Sequence, residues 1–252
     1  MSFFITLPSN GSSKYFSDNK ITNYKIKLPS KLRFLPGEYE VALVDATYIC
    51  SLKTLTGKNF DNILYIKDLY KSVWQGEICL THFSEIEHLI HAINETLSVR
   101  VGCKFHFDKL KNRVWIKLSS AVFLEISEKL SDILGYDGNR IFGEEHEDGA
   151  FYAKFAPDLL GGRYHMYIYS DIVQPQIVGS SLVPLLRMIN ITGKEGVAIT
   201  NSFQNPYYLQ LSRNEIEVIS IVICNKLGEE LQIDKGAVTL TLHFRRVVGL
   251  KR

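Results

Sequence analysis

Between residues 164 and 192 the chain alternates. Met166, Ile168 and Ile172 fall on one side of an extended backbone, and His165, Tyr167, Tyr169 and Asp171 on the other. A period of two is the mark of a half-buried β-strand. Pro175 and Gly179-Ser180-Ser181 interrupt the run, and residues 183–191 read as a second strand. Upstream, Tyr24, Ile26 and Leu28 alternate with Lys25 and Lys27, which predicts a strand with one wet face. Residues 38–49 are apolar on both faces and should lie centrally in a sheet. Residues 63–66 and 72–80 are further extended segments, whereas 3–7 is a short apolar start and 9–20 a polar arm or loop. Downstream come 207–211, 215–225 and 237–247. In the last of these, Val238, Leu240, Leu242 and Phe244 alternate with Thr239, Thr241, His243 and Arg245.

The period changes at residue 82. Ser84 and Glu87 form an S-x-x-E capping box, and Ile86, Leu89, Ile90, Ile93 and Leu97 follow at helical spacing. Phe105 and Phe107, a polar turn at 108–112, then Val114, Ile116 and Leu118 read as a hairpin. A strand at 121–126 precedes a short helix that Ser127 caps and Gly135 ends. Residues 137–162, with five glycines, form a long connection back. The expectation is a mainly β chain: a single jelly-roll β-sandwich of about eight strands (1–81 and 163–252) with an inserted small α/β module (82–162). A size of 252 residues suits one large β-domain carrying such an insertion.

Composition adds little. Hydrophobic content is 46% and net charge +2, so no global basic field points to nucleic acid. The basic signal is local: Arg245, Arg246, Lys251 and Arg252 close the chain, either as a solvated tail or as a contact to nucleic acid such as DNA. The first residues lack a basic n-region and a long apolar core, and no run reaches the ~18 apolar residues of a membrane span. A protein made inside a cell, without a signal peptide, is expected. On that view Cys50, Cys79, Cys103 and Cys224 are free and buried, and the three N-x-[ST] matches at Asn10, Asn94 and Asn190 are chance.

Catalysis finds no foothold. His88-x-x-His91 lies on the predicted helix away from its apolar stripe and reads as two solvated histidines rather than a metal pair. The acidic run 144–148 lacks a calcium-loop pattern. A cupin enzyme would need converging histidines, but His165 and His243 occur singly; nucleophile-elbow, Walker and dinucleotide motifs are missing, and no cofactor is implied. One strand exceeds expectation. Ile219, Ile221 and Ile223 oppose Val218, Val222 and Cys224, so residues 215–225 are apolar on both faces. Either the insertion or a neighbouring subunit should cover the surplus face, which makes the three isoleucines a candidate subunit interface.

Three runs carry a resemblance. Ser170-Asp171-Ile172-Val173-Gln174-Pro175-Gln176-Ile177-Val178-Gly179 with Val183-Pro184-Leu185-Leu186-Arg187, then Phe203-Gln204-Asn205-Pro206-Tyr207-Tyr208, and last Val238-Thr239-Leu240-Thr241-Leu242-His243-Phe244-Arg245 resemble the penton (minor capsid) proteins of Polinton/Maverick elements and their adintovirus relatives. The resemblance covers about residues 164–246. It implies a non-enzymatic capsid protein in the virion, a homopentamer at the vertex of an icosahedral particle, beside a double-jelly-roll major capsid protein. It further implies an insertion that faces outward, towards a host surface. The alternative is a β-sandwich ligand- or receptor-binding module of lectin-like kind.

Overall fold

The computed structural model describes residues 2–57, 61–68, 73–81, 83–97, 102–119, 122–138, 140–142, 150–193, 196–226 and 228–247. In chain order the elements are β1 (Ser2–Pro8), β2 (Asn23–Arg33), β3 (Tyr39–Ile49), β4 (Ile63–Asp68), β5 (Val73–Glu77), α1 (Ile86–Leu97), β6 (Cys103–Asp108), β7 (Arg113–Leu118), β8 (Val122–Ile126), α2 (Glu128–Leu134), β9 (Arg140–Phe142) and β10 (Ala150–Tyr152). Then follow β11 (His165–Ser170), β12 (Gln176–Val178), β13 (Ser181–Val183), β14 (Leu185–Asn190), β15 (Ala198–Ser202), β16 (Leu209–Gln210), β17 (Glu215–Cys224) and β18 (Thr239–Arg246). The chain divides into two compact units, Met1–Leu52 with Arg163–Arg252, and Lys53–Gly162.

The first unit is built from two antiparallel sheets, β1-β18-β3-β15 with β16 also on β3, and β14-β11-β17-β2. Counting β15 and β16 as two halves of one strand gives eight strands in the orders 1-8-3-6 and 5-4-7-2. That is a single jelly roll. Alternation fixes each strand's facing: Leu240, Leu242 and Phe244 of β18 are buried, while Thr239, Thr241 and His243 are half-exposed. β3 lies centrally and holds a bulge at Val44, opposite the step from Thr241 to Leu242. The extra residue shifts the apolar phase, so Val41 and Leu43 before it and Ala46 and Tyr48 after it all enter one core. The long edge strand β2 is blunted by its own preceding loop. Ser12 Oγ accepts from Lys27 N at 3.0 Å, Asn19 Oδ1 accepts from Lys25 N at 2.8 Å, and Asn19 Nδ2 donates to Lys25 O at 2.9 Å. These side chains occupy backbone groups that an unprotected edge would offer to another chain.

The strand count is as expected, but its members differ. Residues 3–7 are not merely an apolar start; they are β1, paired along its length with β18. Residues 198–202 supply β15. In exchange, β4 and β5 leave the sandwich, because β4 pairs with β5 on one side and β8 on the other. The second unit therefore begins at Lys53, not at residue 82.

That second unit has sheets β10-β7-β6 and β5-β4-β8-β9, with its own core. Ile86, Leu89, Ile90, Ile93 and Leu97 of α1 are all buried in it. The helix starts at Ile86, so Glu85 rather than Ser84 accepts the first intrahelical bond, from Leu89 N, and Glu87 instead pairs with Lys109 at 3.0 Å. α2 is capped as its sequence predicts: Ser127 accepts from Leu130 N, and Gly135 ends the helix at φ 87. A Cβ on Gly135 would lie 2.3 Å from Phe155 O, so only glycine fits there. No helix among the described residues is long and apolar enough to cross a membrane.

Candidate assembly surface

Strand pairing sorts the sandwich loops into two ends. The chain leaves for the second unit at Leu52 and returns at Arg163 on one end, near the Leu52–Ile233 bridge and the pairing of Ala198 with Ile49. The start of β1, Ser2, and the end of β18, Arg246, lie at the other, with the β2–β3 turn. At that second end stands the hairpin β12–β13. Gly179, at φ 60, opens its two-residue turn, the position where a type II′ turn demands glycine. Ile177 and Leu182 are direct register partners, so they share a face, and they are 81% and 68% exposed.

The hairpin is held firmly at its base. Asp171 Oδ2 accepts from Arg213 Nη2 at 2.8 Å and Oδ1 from Ser220 N at 2.9 Å, and Ser212 Oγ donates to Asp171 O at 2.7 Å. Gln174 N donates to Gln210 O at 3.0 Å, and Gln176 Nε2 to Leu185 O at 2.5 Å. Ile172 and Val173 anchor the stem in the core. A rigid stem carrying two apolar side chains into water is an arrangement suited to a partner. From sequence, Gly179–Ser181 reads as an interruption. The Gly-Ser pair between Gln-Ile-Val and Ser-Leu-Val was the hairpin signal.

The residues nominated from sequence lie elsewhere. Ile219, Ile221 and Ile223 are fully buried in the sandwich core, so they do not offer a subunit interface. Register decides this: Ile219 faces Ile26 and Ile221 faces Tyr24, both core residues. The outward face of β17 carries Val218, Ser220 and Val222, half-buried among Lys27, Lys25 and Tyr169 in neighbouring strands. Arg245 and Arg246 are each paired with a glutamate of the region around β3, Arg245 Nε with Glu40 at 2.6 Å and Arg246 Nη2 with Glu38 at 2.9 Å. Lys251 and Arg252 lie outside the described residues, as does the acidic run 144–148. His88 and His91 are exposed, His91 beside Glu95 at 3.6 Å. Cys50 and Cys224 are buried, but Cys79 is exposed, against expectation; burial pushes the Cys103 thiol up to about 12.

The three runs of the resemblance meet in space. Arg187, from the first, lies between the rings of Phe203 at 3.8 Å and Tyr207 at 4.5 Å, from the second. Tyr208 hydrogen-bonds His243 Nδ1 at 2.8 Å, and Arg245 lies 3.3 Å over the Tyr208 ring, both in the third run. Phe4 stacks on His243 from β1 at 4.4 Å.

An eight-stranded jelly roll with an α/β unit inserted between its third and fourth strands defines the class: a single jelly-roll protein. This fold is shared with the mavirus penton protein, known from a crystal structure, which aligns with a TM-score of 0.54 and 13% identity over 98% of this chain and 100% of that one. A chain of the Sputnik virophage structure aligns over 96% of this chain and 97% of its own, with 10% identity and a TM-score of 0.44. No protein-family model and no curated protein matches the chain.

Proposed function

We propose that this chain is a structural capsid protein that forms the vertex of an icosahedral particle as a closed homopentamer, beside a double-jelly-roll major capsid protein. The observation that carries the reading is the shared fold with a penton protein, which spans nearly the whole of both chains. A cyclic oligomer needs two different surfaces on each copy that meet head to tail. The β12–β13 hairpin is one of them in this reading, seated on the next copy of the chain. Burying Ile177 and Leu182 there would contribute about 1.5–3 kcal/mol for each side chain. Native mass spectrometry across a concentration series tests this. Five protomers are expected for the parent chain, and monomers for Ile177→Asp with Leu182→Asp, whose sandwich should melt as the parent does. A parent chain that stays monomeric at every concentration would instead favour the lectin-like module.

A further inference from the structure

We infer that the solvent face of the β6–β7–β10 sheet in the second unit binds a sulfated polysaccharide. The inference rests on that unit alone and not on the capsid reading. Register places Lys104 directly opposite Lys117, His106 opposite Trp115, and Trp115 opposite Tyr152. Phe105, Val114 and Ile116 fill the other face and are buried, so this face looks outward, with Lys104 and Lys117 exposed and Tyr152 50% exposed.

Two features of that face point to an anion. The first is charge. Like charges directly opposite each other weaken a sheet, yet neither lysine has a carboxylate partner among the described residues. Neighbouring Lys109 and Lys111 do, with Glu87 at 3.0 Å and Asp108 at 3.8 Å. Burial and the charges of Lys104 and Lys117 together hold the His106 imidazole below its ordinary range, so the row gains no further cation at neutral pH but registers the positive field. The second is the aromatic row itself. His106 and Trp115 stack at 4.1 Å and 13°, Trp115 and Tyr152 at 5.8 Å and 22°, and Lys111 Nζ lies 4.7 Å from the Tyr152 ring centre. The rings stand face against face, so both faces of Trp115 are taken. Binders of single-stranded nucleic acid rely on open aromatic faces for base stacking, and Trp115, the largest ring of the row, is flanked by a ring on either side. What remains is an aromatic ridge beside two ammonium groups that have no carboxylate partner among the described residues. A polymer whose anions are sulfates and which has no base to stack fits that chemistry.

The test uses the full chain on immobilised heparin, with chemically desulfated heparin as reference. Retention on the sulfated matrix alone is expected, with affinity falling steeply as salt rises. Lys104→Ser with Lys117→Ser should lower affinity at least ~10-fold and reduce the log–log salt slope by about 2, one for each ammonium group removed. Lys25→Ala with Lys27→Ala, on the sandwich, should leave both unchanged. No retention of the parent chain overturns the proposal. Retention that survives removal of both lysines overturns it too. Tighter binding of oligothymidylate than of heparin through the same lysines assigns the face to nucleic acid and overturns the polysaccharide.

Discussion

Ile221→Ala and Ile177→Ala make the same chemical change at two sites, and the structure predicts opposite readouts. Ile221 has no exposed surface and lies in the sandwich core, against Tyr24 of β2 in register. Truncating it removes buried apolar atoms and leaves a cavity, which costs about 2–5 kcal/mol. For a unit of this size each kcal/mol lowers the melting temperature by roughly 2–4 °C. The sandwich transition should therefore fall by about 4–20 °C. Ile177 is 81% exposed, so its truncation should change monomer stability by less than about 0.5 kcal/mol. Far-UV circular dichroism follows the whole molecule, while tryptophan fluorescence reports the second unit alone, because both tryptophans, Trp74 and Trp115, lie there. Ile221→Ala should shift the first signal and spare the second, with oligomer mass unchanged in the cold. Ile177→Ala should leave melting intact and weaken association. If Ile221→Ala instead lowered oligomer mass without touching the melting curve, the facing of β17 derived from its register would be wrong.

Asp61 and the chain end give two further expectations. Asp61 is fully buried and accepts from Thr56 N, Thr56 Oγ1, Gly57 N and Lys129 Nζ, the last at 3.0 Å. Burial pushes its carboxyl up, but the Thr56 bonds and Lys129 outweigh that and hold it below the usual carboxylate range. A carboxyl lowered by folding stabilises at neutral pH, and the stability is lost as pH falls through the folded value, below about pH 4. Asp61→Asn should lower the fluorescence-detected melting temperature at pH 7, with the gap to the parent closing in acid; a pH-independent gap would refute the charge argument. Arg245→Ala with Arg246→Ala should leave the salt slope of any DNA binding unchanged, since Glu40 and Glu38 already pair with both. A slope reduced by about 2 would restore the nucleic-acid role of the chain end.

Local chemistry was legible in the sequence, and long-range partnership was not. The limits of α2 follow from Ser127 and Gly135 alone, and the apolar stripe of α1 from its spacing, because caps and helical faces are set within a few residues. β1 escaped because Phe3, Phe4 and Ile5 do not alternate. Phe4 points to solvent yet stacks on His243, a contact 239 positions away that gives an exposed phenylalanine its place. Nothing local distinguishes β4 and β5 from sandwich strands; only pairing with β8 assigns them. The error at Ile219, Ile221 and Ile223 has the same origin. A strand apolar on both faces does not declare which face is inner, and the register with β2 supplies the answer.

The three runs that carried the resemblance were informative for a physical reason. They lie in β14 and its approach, in the β15–β16 connection and in β18, as three separate stretches of the chain. Folded, they form one chain of contacts: Arg187 clamped by Phe203 and Tyr207, then Tyr208 bonded to His243 and covered by Arg245, which Glu40 neutralises. Aromatic and guanidinium faces of this kind tolerate little exchange, because a lysine cannot stack as a planar guanidinium does. The middle run ties the two sheets together at this point, since Arg187 belongs to one sheet while Tyr208, through His243, leads to the other. A sandwich core can be refilled with many apolar combinations of similar volume, so its sequence says little beyond strand or helix. A clamp made of specific planar groups is harder to replace, and so it left words in the sequence that could be read before the fold was known.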